Sequence, residues 1–139
     1  MSYCLVDVSA IVHREVRPLP DRNFPEWTFE RKLDGIRAIA FKQGDAVRLL
    51  SRNQLSLTES YFAVAQAIAR LPVDQVILDG EASGAWGRQG SADYHVFDVL
   101  WWNDRSVTAL TLDERWTLLD RLPFDSPLVR VLPVEGDAP

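Results

Sequence analysis

At 139 residues the chain is long enough for one hydrophobic core and too short for two independent ones, and its 47% hydrophobic and 25% charged residues are ordinary for a globular protein. A net charge of −5 and a pI near 4.9 argue against tight non-specific nucleic-acid binding, which is dominated by phosphate neutralisation and shows as a basic surface. The single cysteine, Cys4, excludes an internal disulfide, and no apolar run approaches the roughly 18 residues of a membrane helix, so the expectation is a cytoplasmic domain that makes no use of a membrane.

Taken in order, residues 1–25 carry Pro18, Pro20 and Pro25 and are expected to be an extended lead-in; His13 has no His or Cys near it and is not expected to bind metal. Basic residues gather in this first third, from Arg14 to Arg37, so a local basic patch fits an acidic chain. Trp27 and Phe29 alternate with polar residues as on a half-buried strand, which Asp34-Gly35 turns into a second strand. There Ile36, Ala38 and Ala40 should fill one face, with Arg37, Ile39 and Phe41 on the other. Gln43-Gly44-Asp45 is a hairpin signal, with Ala46 to Ser51 as the returning strand and Ser51-Arg52-Asn53 at its end.

Residues 59–71 place Phe62, Ala65, Ile68 and Leu71 at helical spacing, with Thr58 or Ser60 as a cap and Pro72 as the stop. Gln75 to Leu78 is a short buried strand that should end in Asp79-Gly80-Glu81. Gly84 to Gly90 is expected to be a loop, Tyr94 to Trp102 a strand ended by Asp104, and Leu112 to Leu122 a helix capped by Thr111 or Asp113. Its apolar face would be Leu112, Trp116, Leu119 and Leu122. Leu128 to Val134 is a last strand. Hairpins in place of regular βαβ units predict an α+β domain of antiparallel β-sheets with flanking helices.

Four stretches have chemistry in them, and each has a bland alternative. Lys32-Leu33-Asp34-Gly35-Ile36-Arg37 could be a β-turn beside a solvated lysine. Ser51-Arg52-Asn53 could be a cap, Asp79-Gly80-Glu81 an exposed turn, Val96-Phe97-Asp98-Val99-Leu100 a core strand and Leu112-Asp113-Glu114-Arg115 behind it the start of an amphipathic helix. In this order, and at this spacing, they resemble the motifs of the ATP-dependent DNA ligases over about residues 15–134. The first is similar to the adenylated-lysine motif, Lys-x-Asp-Gly-x-Arg, which RNA ligases and mRNA capping enzymes share. One departure is Gln54, where the Ser-Arg-Asn segment of the family is followed by Gly.

The resemblance implies an incomplete ATP-grasp-like nucleotidyltransferase domain of the DNA ligase type across residues 1–139. It also implies ATP and Mg2+ as cofactors and nicked DNA as a partner of the complete enzyme. Lys32 would be the catalytic nucleophile, attacking the α-phosphate of ATP as a free amine to give lysyl-AMP. Glu30 would read the adenine edge, Arg37 and Arg52 would hold ribose and phosphate, Glu81 would bond the ribose hydroxyl or help place Mg2+, and Phe97 would stack on the adenine. His95 is expected to point to the opposite face from Phe97 and to be structural.

The family continues with Glu-Gly-hydrophobic and Lys-x-Lys segments and an OB-fold domain, and Glu135-Gly136 does not open an apolar strand of that kind. The expectation is therefore a weak or inactive chain in isolation, since phosphate-neutralising lysines are a large electrostatic contribution. Weak, salt-sensitive DNA binding is expected with it. An apolar face near Phe97 to Trp102 or along 128–134 would drive self-association or receive a complementing polypeptide. The alternatives are a non-catalytic remnant or split half that binds nucleotide or a partner, and an RNA ligase or capping-type enzyme.

Overall fold

The computed structural model describes residues 35–84 and 92–132. The expected turn at Asp34, the strand before it, the lead-in, most of the 84–90 loop and the Glu135-Gly136 segment lie outside the described residues. Within them, six strands and two helices follow in the order β1 (Ile36–Gln43), β2 (Ala46–Ser51), α1 (Phe62–Ala69), β3 (Gln75–Ser83), β4 (Asp93–Trp102), β5 (Arg105–Ser106), α2 (Leu112–Leu119) and β6 (Leu128–Arg130). They form one six-stranded sheet in the order β2-β1-β3-β4-β5, with β6 also paired to β4. All pairs are antiparallel except β4 with β6, which run parallel. The α+β class holds, with one sheet and one parallel pair where antiparallel sheets were expected.

Alternation along the strands sorts the side chains into two faces. Ala38, Ala40, Leu49, Val76, Leu78, Val96 and Val99 face the main core, which Val64 and Ile68 of α1 and Leu118 and Leu119 of α2 complete. Both helices thus cover the same face of the sheet. The other face carries a smaller apolar cluster of Ile39, Ile77 and Leu100, with Phe41 and Trp101 packed against it. Arg37, Asp79 and Glu81 lie on this second face by the same alternation. Tyr94, on the helix face, is completely buried, and its hydroxyl lies 2.8 Å from the Ala38 carbonyl and 3.2 Å from that of Leu78.

Several local expectations are corrected. Asp79-Gly80-Glu81 lies inside β3, which runs on to Ser83, because the β1 pairing continues to Ala82. Phe62 is 62% exposed; the buried positions of α1 are Val64, Ala65, Ala67 and Ile68. Tyr61 precedes that helix without a side-chain cap, and Thr58 instead accepts the Leu49 amide at 3.0 Å. β4 turns through Asn103-Asp104 into the short β5. At α2, Thr111 caps through a reciprocal capping box with Glu114, while Leu112 and Trp116 are only partly buried and Arg115 is buried. β6 ends at Arg130, so strand pairing is shorter than expected.

Residues Phe97 to Trp102 are buried or half-buried, so the expected exposed apolar face does not lie there. Val129 and Leu132 of the last segment are exposed.

Candidate functional site

The site begins with a register. Ser51 of β2 is opposite Ala38 of β1, Ala38 is opposite Gly80 of β3, and Gly80 is opposite Val96 of β4. One line across four strands therefore joins three of the motifs to Ala38, the residue directly after the first motif, from positions up to 58 apart in sequence. The next line is Arg37–Glu81–His95, on the face away from the helices.

Two glycines make this closeness feasible. A Cβ on Gly80 would come 2.5 Å from the His95 carbonyl oxygen and 2.8 Å from the Tyr94 ring. A Cβ on Gly35 would come 2.4 Å from the Ala82 carbonyl oxygen and 3.1 Å from Cγ of Glu81. Contacts this short to backbone cannot relax by a side-chain rotation, so both motif glycines are required by the approach of neighbouring strands.

On this face Arg37 donates to both carboxylate oxygens of Asp79, from Nε at 3.0 Å and from Nη2 at 2.6 Å. Such a two-pronged pair fixes the guanidinium plane as well as its place. Its hydrogen bonding to Asp79, partly offset by burial, raises the Arg37 pKa above its ordinary value, and the Asp79 and Glu81 charges add to the rise. The Asp79 side chain is nearly buried, whereas that of Arg37 remains 32% exposed. An arginine held this way beside a partly exposed Glu81 puts a cation and a carboxylate side by side, a set that can donate to phosphate or ribose oxygens and accept from hydroxyls.

His95 lies directly across from Glu81, and its Nε2 is 3.2 Å from Ser83 Oγ. Pairing is regular from Tyr94 to Val96, which puts His95 on the face of Arg37 and Glu81, whereas Phe97 follows at a register shift that alternation does not cross. Phe97 is half-buried and belongs to neither apolar cluster. Arg52 is exposed in the turn directly after Ser51, at the same end of β1 as Arg37. Lys32 and Glu30 lie outside the described residues. The structure therefore gathers Arg37, Glu81 and Phe97 on neighbouring strands and sets Arg52 at the margin.

Sequence reasoning overlooked Asp79 as the partner of Arg37. Both are quoted within motifs, but only the β1–β3 register shows that they meet. It also left Asp98 and Arg115 without roles, although they form a buried pair at 2.7 Å. Among the described residues no group of three or more His, Cys, Asp or Glu could hold a metal ion. Nor is any helix among them long and apolar enough to cross a membrane.

Comparison with known proteins places this geometry. The family described as ATP dependent DNA ligase domain matches residues 12–87, more than half of the chain. The multifunctional non-homologous end joining protein LigD of Mycolicibacterium smegmatis is 29% identical over 127 residues, covering 82% of this chain and 17% of that protein. The SPbeta prophage-derived DNA ligase-like protein LigB of Bacillus subtilis is 31% identical over 139 residues, covering 88% of this chain and 49% of that one. Among solved structures, the ligase domain of Mycobacterium tuberculosis LigD superposes with a TM-score of 0.63 at 27% identity, over 80% of this chain and 41% of that one. A mycobacterial DNA ligase D complexed with ATP and MES gives 0.61 at 28% identity, with the same coverage.

The fold is thus an α+β domain of the nucleotidyltransferase type. The chain belongs to the ATP-dependent DNA ligase family and corresponds to part of its adenylation domain. It spans 17% and 49% of the length of these two curated relatives.

Proposed function

We propose that the face bearing Arg37, Glu81 and Phe97 binds the adenosine part of ATP and that Lys32 is the nucleophile. The observation that carries this reading is the pair of adjacent register lines, Ser51–Ala38–Gly80–Val96 and Arg37–Glu81–His95, which between them touch all four motifs, since chance matches would have no reason to meet across four strands. Glu81 accepts a ribose hydroxyl, Arg37 and Arg52 donate to ribose and phosphate oxygens, Phe97 stacks on the base and Glu30 reads the adenine edge. The Lys32 amine, once deprotonated, forms a P–N bond to the α-phosphorus as the bond to the bridging oxygen breaks. Pyrophosphate leaves, the nitrogen loses its remaining excess proton to solvent, and lysyl-AMP results. Mg2+ fits as a partner of Glu81 and the triphosphate, because this ion is commonly held by one or two carboxylates together with substrate phosphates. When bound it neutralises phosphate charge.

The chain has two lysines, Lys32 and Lys42. Lys42 is buried and its amine donates to the Gly44 carbonyl, which removes it as a rival nucleophile. With few cations for the phosphates, these 139 residues alone hold ATP weakly and accumulate little adduct, because ground-state recognition survives where transition-state stabilisation does not. The same reading makes the adduct the first step of sealing a DNA nick, performed with further parts of a ligase.

The test is intact mass with peptide mapping after incubation with ATP and Mg2+, alone and with the remaining part of a related ligase domain supplied in trans. An AMP adduct on Lys32 that appears in trans, and that Lys32→Ala and Lys32→Arg both abolish, is expected. An adduct on another residue would sink the assignment. Rapid stoichiometric labelling of the chain alone would sink the weak-activity reading, and ATP binding without any adduct in trans favours a binding-only role.

A further inference from the structure

The outer edge of β4 has a gap. β6 pairs with residues Tyr94–Val96 and β5 with Trp101–Trp102, while residues 97–100 have neither strand beside them. On the inner edge the β3 pairing slips twice over this stretch. Asp79 is opposite Asp98 while Gly80 is opposite Val96, so Phe97 is an extra residue in a β-bulge. Bulges re-aim side chains and leave backbone groups without ladder partners, and those groups must be satisfied elsewhere.

Helix α2 and the turn before it meet much of this need. The Trp116 indole donates from Nε1 to the Phe97 carbonyl at 3.3 Å. Asp98 Oδ1 accepts the Val99 amide at 2.8 Å, and the same carboxylate is gripped by Arg115 through Nε at 2.7 Å and Nη2 at 3.2 Å. Arg115 Nη1 also donates to the Leu110 carbonyl at 2.6 Å, tying the approach to the helix into the same knot. The Arg130 guanidinium lies 5.6 Å from the centre of the Trp116 ring. Phe97 is therefore flanked by two side chains of α2, one on its own carbonyl and one on the next residue.

We infer that Trp116 and Arg115 are positioning residues for Phe97: they hold the bulge in the form that presents the Phe97 ring for stacking on the adenine of ATP. The inference rests on the nucleotide reading given above. Neither residue touches the nucleotide; both act through the β4 backbone. Small displacements of a stacking group weaken binding disproportionately, so loss of the indole donor should reach the ligand without dissolving the fold.

The experiment uses the full 139-residue chain labelled for NMR, with Trp116→Phe as the main variant because it keeps an aromatic ring and removes only the donor end. Without nucleotide, the variant should move the carbonyl 13C resonance of Phe97 and the amide resonances of Asp98 and Val99 while far-UV circular dichroism stays the same. With ATP, adenine H2 and H8 should shift upfield on wild-type protein by ring current. In the variant that shift should shrink, and affinity should fall about fivefold, the scale of one hydrogen bond. Phe97→Leu should abolish the upfield shift and serves as the reference.

Unmoved Phe97, Asp98 and Val99 resonances in Trp116→Phe, or full wild-type stacking and affinity, would overturn the positioning role alone. No upfield shift on wild-type protein, or a full shift in Phe97→Leu, would overturn the stacking role of Phe97 and with it the function given to α2. If Trp116→Phe does not fold, Arg115→Lys carries the same measurements, since it keeps the charge opposite Asp98 and loses the fork.

Discussion

Gln54 sits at φ 61°, in the left-handed region that favours glycine. Ser51 builds this turn around it, accepting the Gln54 amide on its carbonyl at 2.8 Å and the Leu55 amide on its hydroxyl at 3.1 Å. The departure of this sequence from the Ser-Arg-Asn-Gly pattern is therefore a conformational cost at an exposed position. Left-handed geometry costs roughly 1–2 kcal/mol for a side-chain-bearing residue, and glycine's extra chain entropy takes back roughly half, so Gln54→Gly should stabilise by up to about 1 kcal/mol. Thermal unfolding should show a midpoint higher by a few degrees; an unchanged or lower midpoint would refute this account. Tyr94 is the second residue with a measurable consequence. Burial, and then the charge of Asp79, hold its phenol well above the ordinary value of about 10. Above about pH 10 the unfolded chain loses this proton while the folded chain keeps it, so the unfolded state binds fewer protons and stability falls as pH rises. Tyr94→Phe should cost about 1 kcal/mol at neutral pH, and the gap to wild type should narrow in urea titrations from about pH 9 upward. A gap independent of pH would contradict the burial argument.

The elements show where sequence patterns carry and where they stop. The β1–β2 hairpin was legible because Gly44 lies between two alternating runs, and α2 because Thr111 and Glu114 stand at capping-box spacing. α1 was legible as a helix, but its exposed Phe62 misled the choice of face, since apolarity alone does not say which way a residue points. β6 was read as a longer strand, and its parallel pairing with β4 depends on tertiary placement that no local pattern encodes. The buried Asp98–Arg115 pair belongs at this scale, because it fastens α2 to β4 with both side chains 6% exposed. Removing one partner strands the other as an uncompensated buried charge, so Arg115→Met should destabilise by about 3–5 kcal/mol. Adding Asp98→Asn to that variant should recover part of the loss in a urea double-mutant cycle. A double variant weaker than Arg115→Met alone would show that the pair is not the cause.

For the whole molecule, the family and the α+β class were legible from four ordered motifs, whereas the arrangement of the site was not. Sequence order is β1, β2, β3, β4, but the sheet order is β2-β1-β3-β4, and this places Arg37 between the turn that carries Arg52 and the strand that carries Glu81. The same order sends Arg37 into the pairing with Asp79, 42 positions away. Helices on one face and motif side chains on the other also divide the labour. Substitutions at Leu78 or Val96 act on the core, while Arg37 and Glu81 project from the opposite side of the same strands.

The parallel strand β6 has a consequence for the order in which the protein opens. β3 is flanked on both sides, by β1 from Gln75 to Ala82 and by β4 from Val76 to Ser83, whereas β6 contributes three residues from the far end of the described chain. Segments with few ladder bonds open locally at low free energy, while doubly flanked strands exchange only when the domain opens as a unit. In deuterium exchange the amides of Leu78 and Gly80 should be among the last to exchange, and those of Val129 and Arg130 should go much earlier. If all exchanged together, closing the sheet with β6 would belong to the same cooperative step as forming its centre.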